Sequence, residues 1–112
     1  MKKFSPKRFH ALVDASYAEV RKLIAIKGGE YSGTEDSLAN FRRAALNSGV
    51  NKETALFIYM SKHYDSIATY VRDLQTGETR PRSESMKGRV HDLIVYLLLF
   101  EAMLEEGPDS DA

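Results

Sequence analysis

The chain has 112 residues, the size of a single ordinary domain, so no separate cofactor module is expected within it. Sixteen basic side chains cancel sixteen acidic ones, which argues against coating nucleic acid or an anionic membrane through bulk charge. A composition of 43% apolar and 29% charged residues is that of a soluble globule, and the lack of cysteine excludes disulfide scaffolds, zinc ribbons, iron–sulfur centres and thiol nucleophiles.

Met1 to Arg8 is basic but runs into no apolar stretch, so it does not read as a signal peptide, and a cytoplasmic protein is expected. Ser5 as N-cap and Pro6 at the first helical position start a first helix. Phe9, Leu12, Val13, Tyr17, Val20, Leu23 and Ile24 give it one apolar stripe, and Gly28-Gly29 is expected to end it. A second helix is expected from about Glu35 to Asn47, capped by Thr34 and stopped near Gly49, with Leu38, Phe41 and Ala45 inward. Asn51 caps a third helix to about Leu74, whose stripe is Leu56, Met60, His63, Ile67, Val71 and Leu74. Gln75 to Arg82 is a polar loop; Ser83 or Ser85 then caps a fourth helix reaching about Glu105. Residues 107–112 read as a frayed acidic tail after a single helical domain, 1–106.

No segment alternates with period two, so the expected fold is all-α, a four-helix bundle. The fourth helix is apolar on nearly every side from Val90 to Leu104, which predicts burial all round. A chain this short buries only about two-thirds of its unfolded surface, so that helix is expected to pack on a second subunit. Its greasiest run, Leu93 to Phe100, is far short of the roughly 20 residues that span a bilayer, so no membrane is expected.

No phosphate-binding glycine loop, nucleophile elbow or His-Glu-x-x-His pair is present. What stands out is charge where apolar residues belong. Asp92 has Tyr96, Leu99 and Met103 as its helical neighbours and should face packed protein, where a carboxylate needs a cation, a donor or a metal. A salt bridge to Arg89 and a metal or substrate contact both remain open. His63 lies on an apolar stripe, either as a satisfied core histidine or as a ligand, and Lys62 beside it offers a second donor to phosphate. Lys62 and Asp65 could equally form a solvated ion pair. Arg80, Arg82, Lys87 and Arg89 surround Glu84, a positive patch with a carboxylate within it. Carboxylates for hard cations beside arginines and lysines for phosphate oxygens suit metal-dependent cleavage of a phosphate compound; a solvated junction has the same composition.

Lys27-Gly28-Gly29-Glu30-Tyr31-Ser32-Gly33, Asn40-Phe41-Arg42-Arg43, Met60-Ser61-Lys62-His63 and the run from Glu84 to Leu97 come in an order that resembles small phage-encoded members of the MazG-like all-α nucleoside triphosphate pyrophosphohydrolases. The resemblance covers residues 27 to 99. It implies a helical dimer or tetramer with sites between subunits, and cleavage of a nucleoside triphosphate, dGTP in one phage branch, to monophosphate and pyrophosphate. It also implies Mg²⁺ or Mn²⁺ on helix carboxylates. By position Asp92 looks like the aspartate closing the family's last Glu-x-x-Asp metal motif, Glu30 like the acidic residue before tyrosine, and Lys62-His63 like the central pair of the phage branch. The family's Glu-x-x-Glu is absent, and Arg89 stands three before Asp92 where the motif has Glu, so Glu30, Asp65 and Glu84 are the remaining metal candidates. On this reading Glu30, Lys62 and Asp92 are catalytic. Lys62, Arg82 and Arg89 neutralise the triphosphate with His63, and Asn40, Phe41 and Tyr96 contact the rest of the substrate.

Two other readings compete. A non-enzymatic helical regulator that binds DNA or a host protein would use Lys2, Lys3, Lys7, Arg8 and Arg42-Arg43, although the neutral total makes nucleic acid a poor partner. His91-Asp92 as an HD-type phosphohydrolase pair, with His10 and His63, has no supporting spacing.

Overall fold

The computed structural model describes residues 2–33 and 35–109. Among them the chain is all-helical, with α1 Pro6–Tyr31, α2 Ala39–Ser48, α3 Lys52–Thr76 and α4 Met86–Glu106. Three starts are set by side-chain caps: Ser5 accepts from the Arg8 N–H, Asn51 from that of Thr54, and Ser85, not Ser83, from that of Gly88.

Two boundaries differ from expectation. α1 continues through Gly28-Gly29 to Tyr31, because neither glycine turns left-handed. Its ladder persists until the Ser32 N–H donates to the Gly28 carbonyl at 3.0 Å, and Arg43 holds the end by donating to the Tyr31 carbonyl at 2.6 Å. α2 starts at Ala39 rather than Glu35, and the expected cap, Thr34, lies outside the described residues. Asp36 accepts from the Leu38 N–H at 3.0 Å and is gripped by Arg42 at 2.8 Å, so this stretch closes into turns instead of a first helical turn.

α3 packs between α2 and α4, and α1 packs on α4. The core is small: Leu38, Phe41, Leu56 and Met103, flanked by Met60, Tyr96, Leu99 and Phe100. Of the α1 stripe only Val20 is buried and Leu23 half-buried, while Phe9, Leu12, Val13, Tyr17 and Ile24 are exposed. Val71 and Leu74 of the α3 stripe are exposed too. α4 is not buried all round within the chain, since Val90, Leu97 and Leu98 face outward. The molecule measures 59 × 32 × 23 Å, elongated because the first half of α1 is covered by none of the described residues. No helix among the described residues is long and apolar enough to cross a membrane.

The start of the tail is anchored rather than frayed. The fully buried Lys52 ammonium donates to the Gly107 carbonyl at 2.9 Å and to Asp109 at 3.0 Å. Burial opposes its charge, but the carboxylates of Asp109 and Glu53 outweigh burial and hold Lys52 above the ordinary lysine range. Arg42 bridges Asp36 to Glu106 beside it. Ser110 to Ala112 lie outside the described residues.

Candidate functional site

A cavity of about 560 Å³ opens between the C-terminal half of α1, the start of α2, the middle of α3 and the first half of α4. Four of the predicted site residues, Asn40, Phe41, Lys62 and His63, reach it from α2 and α3. Arg89, Asp92 and Tyr96 reach it from α4, and Glu84 from the loop before that helix. Sequence separations of up to 56 residues, Asn40 to Tyr96, thus close into one cleft of the size that holds a small ligand.

Asp92 is buried, as its place on an apolar helix predicted, but Arg89 does not neutralise it. Lys27 from α1 donates to Oδ1 at 3.2 Å, and His63 Nδ1 stands 3.6 Å from Oδ2. Arg89 instead places Nη1 3.4 Å from His63 Nδ1 and 3.6 Å from Glu84. Burial pushes His63 below the ordinary histidine value, against the pull of Asp92, so the ring is neutral at pH 7 and can accept from the guanidinium. The buried Arg89 Nε has no hydrogen-bond partner among the described residues, an unspent donor beside the cleft.

The other side of the cleft is aromatic. Phe41 meets Tyr59 and Tyr96 edge-on, with ring centres 6.0 and 6.1 Å apart, and the His63 ring lies 5.2 Å from Tyr96 at a tilt of 37°. Burial first and the charge of Asp92 second push the Tyr96 phenol above its ordinary value, so it remains a hydrogen-bond donor. His63 and Tyr96 form the seam between an aromatic side with the Asn40 amide and a charged side with Lys27, Arg89 and Asp92.

Three sequence candidates are elsewhere. Glu30 and Asp65 are exposed and outside this lining. Arg82 is spent: its guanidinium donates to Asp73 at 2.8 Å and lies 4.8 Å over the Tyr70 ring. The predicted four-carboxylate metal set is therefore not assembled, and no three His, Asp or Glu side chains converge as a metal site among the described residues. Among the described residues only Glu84 and Asp92 bring carboxylates to the cleft, each already facing a cationic side chain. That donor set does not fit a resident cluster of two or three Mg²⁺ or Mn²⁺ ions, which needs several bridging carboxylates.

Sequence reasoning missed Lys27, Tyr31 and Tyr59, all on the cleft lining. Lys27 had a signal, since it continues the Val20, Leu23, Ile24 stripe by three residues and is a charge on an apolar face just as Asp92 is. A second cavity, of about 510 Å³, lies against Glu19, Leu23, Gly88 and His91 and shares Lys27, Glu84 and Asp92 with the first. Comparison with protein families, curated proteins and solved structures finds no match for this chain.

Proposed function

We propose that the cleft binds a nucleoside triphosphate and hydrolyses it between the α and β phosphorus atoms, as the resemblance to MazG-like pyrophosphohydrolases implies. The observation that supports this is the division of one cavity into an aromatic and amide side, Phe41, Tyr59, Tyr96 and Asn40, and a cationic side, Lys27, Lys62 and Arg89, with a carboxylate between. A flat base suits the first, because ring faces and edges pack on it and an amide pairs with its edge. Phosphate oxygens suit the second. Asp92 is the group that takes the proton from the attacking water; the water oxygen bonds to the α phosphorus, and the bridging oxygen leaves with pyrophosphate. Lys27, Lys62 and Arg89 offset the charge that gathers on the leaving oxygens. A divalent ion enters as part of the substrate, the Mg²⁺ or Mn²⁺ complex that a triphosphate forms in solution.

The test is incubation with each canonical NTP and dNTP, dGTP included, in Mn²⁺ and in chelator. Monophosphate plus pyrophosphate from at least one supports the reading, and no product from any overturns it. The runner-up, a helical interaction or DNA-binding module, is favoured by the exposed basic start of the chain, Lys2, Lys3, Lys7 and Arg8. It predicts a salt-sensitive DNA complex and no cleavage.

The same reading includes a homo-dimer or tetramer. The chain exposes 8731 Å², whereas a compact monomer of its mass exposes about 6,200 Å².

A further inference from the structure

α1 uses only part of its length. Lys27 bonds Asp92, and Glu19, eight residues earlier on α1, still shares a cavity with residues 84 to 92, so going back along α1 leads to the first turn of α4 and the two helices run alongside each other in the same direction. Everything N-terminal of Glu19 therefore passes beyond the first turn of α4. From Lys2 to Glu19 every residue but the half-buried Ser16 is exposed. Thirteen residues of helix, Pro6 to Ala18, are an overhang of about 20 Å.

This overhang is amphipathic. Phe9, Leu12, Val13 and Tyr17 recur at helical spacing and are open to solvent, Phe9 at 53% and Tyr17 at 55%. Lys2, Lys3, Lys7 and Arg8 lie at its start, and the first acidic residue is Asp14. Among the described residues none covers this half of α1, so its apolar stripe lacks the tertiary packing from which most helical stability comes.

The complementary surface is on α4. Leu97, Glu101, Leu104 and Glu105 follow at intervals that keep them on one face, with Leu98 at its edge. Leu97 is 50% exposed and Leu104 66%, and among the described residues neither Glu101 nor Glu105 makes an ion pair. An apolar strip with a basic end meets an apolar strip with an acidic end. The excess exposed area is about 2,500 Å² per chain by the same size scaling, about 5,000 Å² for two chains, enough to supply the 2,000–5,000 Å² that permanent homodimers bury over both partners.

We propose that the N-terminal half of α1 is an exchange arm: it lies along the C-terminal half of α4 of a second copy of this chain, and the second copy returns the contact. The isologous exchange closes, so each arm is covered and no strip is left to propagate a fibre. Leu12 and Tyr17 cover Leu97 and Leu104, and Lys7 and Arg8 face Glu101 and Glu105. The contact adds a geometry to the assembly in the reading above, and because it is read by mass it stands or falls separately from nucleotide cleavage.

Sedimentation equilibrium of the full chain tests it, with far-UV circular dichroism as the control for folding. The wild type should sediment as two or more chains at micromolar concentration. Phe9→Asp, at an exposed position, should return a single-chain mass with helical signal retained. Reversing Lys7 and Arg8 to Glu should weaken association at least tenfold, and adding Glu101→Lys and Glu105→Lys should restore it. A wild type of single-chain mass throughout, including one whose arm binds anionic vesicles or DNA instead, overturns the proposal. So does an unchanged mass for Phe9→Asp, or charge reversal with no rescue, which would place the contact on another surface.

Discussion

Asp73 and Asp92 are both buried carboxylates on helices, and the protein holds them in opposite ways. Asp73, near the end of α3, is saturated: Arg80 donates to both oxygens, at 2.7 and 3.0 Å, and Arg82 adds a third contact at 2.8 Å. The Arg80 hydrogen bonds, against the opposing effect of burial, hold its carboxyl below the usual carboxylate range. Asp92, in α4, has one lysine at 3.2 Å and a neutral imidazole 3.6 Å away, and it borders two cavities. A carboxylate with three of its roughly four acceptor sites taken by two arginines has little left for a ligand and serves to fix the loop from Gly77 to Ser85. A carboxylate paired with a single exposed lysine at a cavity wall can exchange that partner for a substrate. Residue type and burial are the same in the two cases; saturation separates the structural role from the chemical one.

The most direct way to break the comparison is Asp92→Asn. It keeps the shape and removes the charge, so pyrophosphate release should fall on the order of 10²–10⁴-fold, the range of one general base, with the helical signal and thermal midpoint little changed. Asp73→Asn should do the reverse: the midpoint drops by several degrees as the two arginines lose their counter-charge, while turnover per folded molecule is kept. A variant at 73 that abolishes turnover without unfolding would erase the distinction.

The sequence made the Asp92 half of this legible and hid the other. Asp92 stood out because Tyr96, Leu99 and Met103 mark its face as inward, and its burial follows. Its cationic partner is not legible in the sequence, because Arg89 is the basic residue nearby whereas Lys27 is 65 residues away and meets Asp92 only through the packing of α1 on α4. The run of basic residues from Arg80 to Arg89 shows charge but not destination, and only the turn after Gly77 brings Arg82 back onto Asp73 and away from the cleft. The caps at Ser5, Asn51 and Ser85 were readable because capping is local. The uncovered stripe of α1 was not, since periodicity shows that a face seeks a partner and not which chain supplies it.

Acid titration sharpens the same contrast at smaller scale. A carboxyl whose pKa is lowered on folding contributes stability that is complete above its unfolded value, about 3.9, and is lost as pH falls through the folded value. Asp73 follows this course, so wild type should lose stability below about pH 4 more steeply than Asp73→Asn. His63 is also lowered, by burial, and its contribution is complete above about pH 6.5 and declines as pH falls towards its folded value. His63→Gln should flatten the fall in stability just below pH 6.5 and leave the limb below pH 4 in place. Denaturant midpoints measured from pH 3 to 8 separate the two.

The smallest expected effect concerns the backbone that lets Asp73 be saturated. α3 ends at Gly77, with φ 75° and ψ 15°, and its N–H caps the helix by donating to the Asp73 carbonyl. That left-handed step turns the chain back so that Arg80 and Arg82 return to a carboxylate only seven and nine residues earlier. A Cβ at Gly77 would meet no atom within 4 Å, so any penalty for Gly77→Ala is conformational rather than steric contact with neighbours. It should cost about 1–2 kcal/mol, the price of a left-handed L-residue. If the loop exists only to seat the arginines, Gly77→Ala and Asp73→Asn together should destabilise by less than their separate effects added, since either one already loosens the same contact. Nucleotide cleavage should be unaffected by both. Full additivity would mean that the turn and the ion pair are independent, and that Asp73 does not owe its saturation to the glycine.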